Sequence, residues 1–144
     1  TVPVEPASFD VVYSNQVMEH LHPDDAREQL RAIALALAPG GRYVCVTPNR
    51  LNGPHDVSKY FDETATGFHL REYTNGELAG LLREAGFSGV SALVGARGMF
   101  LETPIKPLSW IETWLERMPL ERRRALASRQ PLRALLAIRL VGRK

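Results

Sequence analysis

The stretch FDVVYSN, residues 9–15, is a short apolar run of β-branched and aromatic side chains that closes on two polar residues. A second run, YVCVT, occupies residues 43–47. Between them, residues 24–37 carry apolar side chains at the spacing of one helical face, with Asp24 as the predicted cap and residues 39–41, PGG, as the stop signal. Two continuous apolar strands joined by such a helix predict a right-handed βαβ unit in a parallel sheet covered on both faces. The sequence therefore predicts an α/β fold.

The remainder of the chain extends this unit. Residues 50–72 show no clear period and predict a long loop, which in a compact domain is usually functional. Thr74 followed by Glu77 has the pattern of a capping box at the start of a helix. Three further elements are predicted after it: a strand over residues 90–94, a basic helical stretch over 105–130 and a last strand over 135–141. The predicted order is β-α-β-loop-α-β-α-β, within a single domain formed by residues 1–144.

The helical stretch over residues 105–130 carries an apolar stripe at helical spacing. Its members are Trp110, Ile111, Trp114, Leu115 and Met118. Such a stripe predicts a helix face that lies in the core or at an interface. We interpret the stretch as a helical insertion before the last strand.

Composition restricts the class of protein. The 144 residues are 44% hydrophobic and 24% charged, which is typical of one globular domain. No apolar run approaches the roughly 18 residues of a membrane span, and the first nine residues lack the pattern of a secretory signal. A single cysteine, Cys45, excludes an internal disulfide and favours the reducing cytoplasm. The net charge of +2, without a recognised motif, argues against nucleic acid as a partner.

Several short motifs stand in a fixed order along the chain. They are FDVVYSN at 9–15, EHL at 19–21, LAPGGR at 37–42, TPN at 47–49, and YT, EL and AGF between residues 73 and 87. Together they resemble the second half of class I S-adenosylmethionine-dependent methyltransferases, most closely the group that includes the ubiquinone and menaquinone biosynthesis enzymes. The resemblance covers about residues 9–95 and the last ten, where VGRK is similar to the family's closing antiparallel strand. It implies a Rossmann-like methyltransferase fold, of which this chain would hold strands four to seven.

The resemblance also implies a function, the transfer of a methyl group from S-adenosyl-L-methionine to a small-molecule acceptor. Oxygen, nitrogen and carbon acceptors all fit. The family binds its cofactor through a glycine-rich turn after the first strand and an acidic residue that ends the second. The glycines at 86–89 and 95–98 follow a helix and end a later strand, so they predict ordinary turns. Because the chain begins at Thr1 and enters its first strand at Phe9, we expect a C-terminal half that needs an N-terminal half to bind the cofactor.

The predicted cofactor wall lies where the first strand ends. Ligands of open α/β sheets bind at the carboxyl ends of the strands. The resemblance implies that Ser14 and the turn formed by Asn15, Gln16 and Val17 pack beside the cofactor. Ser14 and Asn15 fit equally well as simple strand-end turn residues.

Glu19 and His20 follow this turn and are the predicted catalytic residues. Methyl transfer requires alignment of the nucleophile with the methyl group and, for a hydroxyl acceptor, removal of its proton. A histidine titrates near neutral pH and suits that base. Two other roles stay open for the pair, namely packing of the turn and ligation of a divalent metal. Some relatives carry an acid where this chain has Gln16, so the sequence alone leads us to assign no metal site.

The loop after the second strand opens onto the same crevice. It contributes the predicted substrate residues, which are Asn49, Arg50, His55, Tyr60, His69 and Arg71. Two of them, Arg50 and Arg71, have the chemistry to clamp a carboxylate or phosphate. Packing of the loop on itself is the alternative for each residue.

A non-catalytic role is the alternative function. Without preceding strands, residues 9–14 form an open sheet edge that is apolar on both faces, and such an edge invites pairing with another chain. This alternative predicts a truncated α/β module that self-associates as a homodimer across that strand.

Overall fold

The computed structural model describes residues 4–96 and 98–144 and contains a five-stranded mixed sheet. The strands, in spatial order, are β1 (Phe9–Asn15), β2 (Leu37–Thr47), β5 (Ile138–Arg143), β3 (Gly89–Ala96) and β4 (Met99–Pro104). The β1–β2 pair is parallel, and the pairs β2–β5, β5–β3 and β3–β4 are antiparallel. The expected α/β fold, with a closing antiparallel strand at the end of the chain, is confirmed.

The βαβ unit forms around α1 (Pro23–Ala36), but its helix is capped differently from the prediction. His22 is the cap, and its Nδ1 accepts a hydrogen bond of 3.4 Å from the backbone N–H of Asp24. Pro23 occupies the first helical position, where a missing N–H costs nothing. The cap is therefore the residue before Pro23 and not the predicted Asp24, which follows it. The helix ends at Ala36, so the glycine pair 40–41 lies inside β2 instead of stopping the helix. The β1–β2 register shifts opposite this stretch, between Phe9 and Val11.

Strand β1 is not covered on both faces, and the prediction of a buried strand is wrong for this chain. Phe9, Val11 and Tyr13 alternate along it and are 45%, 60% and 63% exposed, whereas Ser14 is buried. The physical reason is position, because β1 is an outer strand whose one partner among the described residues is β2. Apolar content alone does not show whether a second strand lies alongside.

Helix α2 (Asn75–Glu84) follows the prediction closely. Thr74 accepts from the backbone N–H of Glu77, and the Glu77 side chain accepts from the backbone N–H of Thr74 at 2.9 Å, which completes the capping box. Gly86, at φ +104°, ends the segment in a backbone conformation that favours glycine. The predicted strand 90–94 lies within β3, and β4 is an additional hairpin partner that the sequence analysis missed. Of the predicted turn at 95–98, Arg97 lies outside the described residues.

The predicted helical stretch 105–130 is two separate helices, α3 (Ile105–Glu116) and α4 (Leu120–Ala127). A third helix, α5 (Leu132–Leu136), follows the stretch and takes the first residues of the predicted last strand. Strand β5 therefore begins at Ile138 and not at Leu135. The predicted apolar stripe of α3 faces the core with only some of its members. Leu115 is buried, but Trp110 and Trp114 are 74% and 54% exposed, so the buried face of α3 lies to one side of the predicted stripe.

The apolar core consists of a main cluster between the sheet and helices α1 and α2, and a smaller cluster beneath α3, α4 and α5. The smaller cluster contains Leu51, Leu115, Ala127 and Leu136. Cys45 is buried in the main cluster as a free thiol. Among the described residues, every helix is too short or too polar to cross a bilayer.

Candidate functional site

A cavity of about 610 Å³ opens at the end of the sheet where β1 and β2 reach their carboxyl ends. Gln16, just after β1, and residues 46–49, at the end of β2, form one wall. His55 and His69 from the loop after β2 form another. Parallel strands place their carboxyl ends on one edge of the sheet, where open α/β sheets bind ligands. The residues that follow β1 and β2 therefore meet at this cavity.

The predicted cofactor turn lies at this edge, with its side chains in different environments. The Ser14 hydroxyl is buried and lies 2.6 Å from the Tyr43 hydroxyl, which engages it within the protein. Asn15 and Gln16 are exposed and Val17 is half-buried. Gln16 has a φ of +56°, uncommon for a residue with a side chain, and its N–H donates to the carbonyl of Val46. The turn is thus held against β2 while its outer surface stays free.

Glu19 is fully buried beside this turn. Its Oε2 accepts a hydrogen bond of 2.7 Å from Thr47 Oγ1, and its Oε1 has no partner among the described residues. Its backbone carbonyl accepts from the N–H of Leu70 at 2.7 Å, which fixes the short 3-10 turn Met18–His20 against the distant loop. A buried carboxylate oxygen without a donor is costly, so Glu19 is held in place with unused bonding capacity.

His20 is exposed, and its Nδ1 lies 3.0 Å from the carbonyl oxygen of Phe68. Its ring meets the ring of His69 edge to face, with centroids 5.0 Å apart. A carbonyl oxygen can only accept, so Nδ1 carries a proton and Nε2 is the ring nitrogen that this bond leaves unused. Two histidines far apart in the sequence thus lie side by side.

The Glu72 carboxylate joins the two loop histidines. Its Oε1 lies 2.7 Å from His69 Nδ1 and accepts from the His55 N–H at 2.7 Å, and its Oε2 lies 3.1 Å from His55 Nδ1. Burial raises the pKa of Glu72, but the hydrogen bonds from His55 and His69 outweigh it and hold the pKa below its ordinary value. The sequence analysis missed Glu72, and its one sequence signal is the His69–Glu72 spacing of three.

Asp56 organises the rest of the loop. Its carboxylate accepts from the backbone N–H groups of Ser58, Gly67 and His69 at 2.9, 3.0 and 3.1 Å. Desolvation raises the pKa of Asp56, but the three hydrogen bonds lower it by more, so that the pKa falls to about 2. The loop therefore returns on itself and presents His69 beside Glu19.

Asn49 lies at the edge of the cavity, but its side chain serves the protein interior. Its Nδ2 donates to Glu112 Oε1 and to the carbonyl of Leu136, both at 2.9 Å. Glu112 is also buried and accepts from the N–H groups of Asn75 and Gly76, in the first turn of α2, at 2.7 and 3.0 Å. The network joins α2, α3 and the end of β2, so the polar atoms of Asn49 are already used.

Three of the predicted substrate residues lie outside the cavity. Arg50 forms ion pairs with Glu77, at 3.1 Å, and with Glu116. Arg71 lies over the ring of Tyr73 and is itself partly exposed. Tyr60 is 77% exposed. The structure thus brings Glu19, His20, His55 and His69 together and leaves Arg50, Tyr60 and Arg71 apart, where any substrate contact stays a prediction.

The cavity has two cationic residues that the sequence analysis did not assign, Arg133 and Arg139. Arg139 pairs with Val46 across β2 and β5 and lies over the ring of Phe100, 5.2 Å from its centroid. Its Nη1 is buried without a partner among the described residues. Because β5 is antiparallel to β2, its first residues reach the carboxyl end of β2, and this topology is the signal that could have found them.

One group of side chains has the composition of a metal site. Glu19, His20 and His69 each offer a ligand atom, and these atoms lie within 4.8 Å of one another. Two of the three residues are buried and one is exposed.

Comparison with known proteins gives a consistent result. The profile of the Methyltransferase domain family matches residues 2–92. The chain is 38% identical over 86 residues to a Mycolicibacterium smegmatis protein named probable S-adenosylmethionine-dependent methyltransferase. This match covers 60% of the chain and 31% of the relative. A Mycobacterium tuberculosis protein of the same name is 40% identical over 90 residues, 62% of the chain and 31% of the relative.

The fold also matches solved structures. A SAM-dependent methyltransferase from Thermotoga maritima aligns over 100% of this chain and 60% of its own, with a TM-score of 0.57 and 15% identity. At that identity the likeness shows the fold alone. The chain spans about a third of the length of the curated relatives it matches.

Proposed function

The chain belongs to the Methyltransferase domain family, and we propose that it takes part in methyl transfer from S-adenosyl-L-methionine to a small-molecule acceptor. The names of its two mycobacterial relatives support the cofactor. The observation that carries the proposal is the cavity of about 610 Å³ at the carboxyl ends of β1 and β2, which His69 lines and beside which His69 meets Glu19 and His20.

Within this proposal the turn after β1 is the cofactor wall. Asn15 and Gln16 leave their outer surface free, and the bond from the Gln16 N–H to the Val46 carbonyl keeps the turn at the carboxyl edge. Ser14 supports the wall from behind through Tyr43, because its hydroxyl is buried. The cofactor would supply the electrophilic methyl group, and these residues would orient it.

His20 is the proposed base for an acceptor that must lose a proton. Its Nδ1–H is held by the Phe68 carbonyl, which leaves Nε2 free to take the acceptor proton from an exposed position. Glu19 is the proposed positioning residue, because its backbone carbonyl ties the turn to the loop at Leu70. Proton removal and alignment are what a displacement at a sulfonium methyl group requires of the protein.

Charge in the cavity supports an anionic acceptor. Arg133 and Arg139 line the cavity, and Arg139 holds a buried guanidinium nitrogen without a partner among the described residues. Guanidinium groups bind carboxylates and phosphates with two parallel hydrogen bonds. We therefore propose an acceptor that carries one of these groups.

The test is methyl transfer from methyl-labelled S-adenosylmethionine to panels of carboxylated and phosphorylated acceptors, with the full-length protein. We expect transfer that falls by about 100-fold in His20→Ala, in line with the loss of one general base. His22→Asn is the matched control, because it keeps a capping side chain on an exposed residue. Unchanged turnover in His20→Ala would contradict the base, and no transfer to any acceptor would contradict the function.

Strand β1 supports a second proposal, association of two copies of the chain. Phe9 and Val11 line an apolar groove of about 510 Å³ together with Ile33 and Leu35 of α1. The backbone of β1 pairs on one side with β2, and open edges of this kind pair with other strands. In a two-fold dimer the same surface of each copy meets its counterpart, so β1 of one copy would face β1 of the other. We expect light scattering to show a dimer that the substitution Val11→Lys converts to a monomer. A monomeric chain without the substitution would contradict this proposal.

A further inference from the structure

We propose that Glu19, His20 and His69 form a binding site for one divalent transition-metal ion of the zinc type. The sequence presents only an adjacent Glu–His pair, which is a weak signal. The fold adds His69 from the loop, so that a carboxylate and two imidazoles offer ligand atoms within 4.8 Å of one another. One carboxylate and two histidines are a donor set that zinc and similar ions accept.

The separation of the donors suits a site that closes on its ion. Ligands about 2.1 Å from a tetrahedral ion lie about 3.4 Å apart. The observed span of up to 4.8 Å therefore needs a movement of about 1 Å. The exposed ring of His20 can supply it, whereas Glu19 and His69 are buried.

The imidazoles are oriented as metal ligands usually are. Histidine ligands commonly donate their second ring N–H to a carboxylate or a backbone carbonyl. His69 Nδ1 lies 2.7 Å from Glu72 Oε1, and His20 Nδ1 lies 3.0 Å from the carbonyl of Phe68. Both contacts leave Nε2 as the ligand atom, and the rings lie edge to face at 5.0 Å.

The carboxylate provides an independent observation. Glu19 is fully buried, Thr47 satisfies Oε2, and Oε1 is left without a partner among residues 4–96 and 98–144. An ionised oxygen in that position is costly unless a cation or a donor meets it. A bound ion would satisfy it while Thr47 keeps the carboxylate in place.

The site borders the cavity, because its ligand His69 and the Glu19 partner Thr47 both line the cavity. An ion there would hold and polarise an oxygen atom of the acceptor. This inference goes beyond the proposed function, since it concerns metal binding without cofactor or acceptor. It also changes the role of His20, whose Nε2 cannot take a proton while it binds an ion.

The test is a titration of the tag-free, chelator-treated chain with Zn²⁺ by calorimetry and with Co²⁺ by visible absorption. We expect one ion per chain and the Co²⁺ spectrum of mixed nitrogen and oxygen ligands. His20→Ala and His69→Ala are expected to weaken binding by at least about 10-fold, and Glu72→Gln by about 10-fold through the orientation of His69. His22→Asn is expected to bind as the parent chain does.

If His69→Ala fails to fold, His20→Ala decides the outcome. His20 is exposed, so we expect this variant to fold, and circular dichroism can verify that. The absence of saturable Zn²⁺ and Co²⁺ binding in the parent chain would overturn the inference. Binding that His20→Ala leaves unchanged would overturn it as well. Both results are read without S-adenosylmethionine, so they are distinct from failure of the proposed methyl transfer.

Discussion

Thr47, the last residue of β2, donates a hydrogen bond of 2.7 Å from Oγ1 to Oε2 of Glu19, in the turn after β1. Both side chains are buried. The bond joins the carboxyl ends of the two parallel strands through a carboxylate whose other oxygen has no partner among the described residues. It is the contact on which the geometry of the candidate site depends most.

Replacing Thr47 by valine removes this donor at nearly constant volume. The Glu19 carboxylate is then buried with neither oxygen bonded, which is expected to cost about 1–3 kcal/mol of unfolding free energy. Urea denaturation measures the change. Thr113→Val is the control, because the Thr113 hydroxyl bonds a carbonyl of its own helix at an exposed position. Equal stability of the two variants would contradict a structural role for the Thr47–Glu19 bond.

The buried Glu112 carboxylate gives a second prediction. It accepts from Asn49 and from the first amides of α2, where a helix favours negative charge. Glu112→Gln turns one acceptor into a donor that faces these donors, and we expect a loss of about 2 kcal/mol of unfolding free energy. Glu121→Gln, on an exposed residue of α4, is the control. A Glu112→Gln variant as stable as this control would show that the network contributes little.

Asp56 predicts acid sensitivity of the loop. Its pKa is about 2 in the folded chain against an ordinary value of 3.8, so the folded state favours the ionised form. The stability this provides is fully present above pH 3.8 and is lost as the pH falls through about 2. Hydrogen exchange of the Gly67 and His69 amides, which donate to Asp56, is expected to accelerate over that interval.

Asp56→Asn supplies the comparison for this pH dependence. It is expected to exchange these amides rapidly at every pH in the interval, whereas Asp25→Asn, on an exposed residue of α1, is expected to follow the parent chain. Amide protection that stays constant down to pH 2 in the parent chain would contradict the role assigned to Asp56.

The elements predicted correctly are those whose signals are local. The capping box of Thr74 and Glu77 and the apolar runs that became β2 and β3 need only neighbouring residues to be recognised. For β1 the sequence left a buried strand and an open edge as alternatives, because burial of an apolar strand depends on what lies beside it. Strand β4 was missed because its residues are mostly exposed and give no inward-facing alternation.

The site shows the same division. Glu19 and His20 were found because the motif is contiguous, and His69 was found only as a member of the loop. That His69 meets both follows from hydrogen bonds between the turn and the loop, at Leu70 and Phe68, that no local pattern encodes. The tryptophans of α3 were misplaced for a related reason. Helical spacing defines a stripe, but the buried Glu112 decides which side of α3 faces inward.

The most direct test of the central claim is hydrogen–deuterium exchange by mass spectrometry on the full-length protein, with and without S-adenosylhomocysteine. The claim is that the carboxyl edge of β1 and β2 faces the cofactor. It predicts slower exchange in residues 14–20 at saturating ligand, with residues 37–42, at the other end of β2, unchanged. Ligand binding that leaves residues 14–20 unprotected, or that protects residues 37–42 instead, would contradict it.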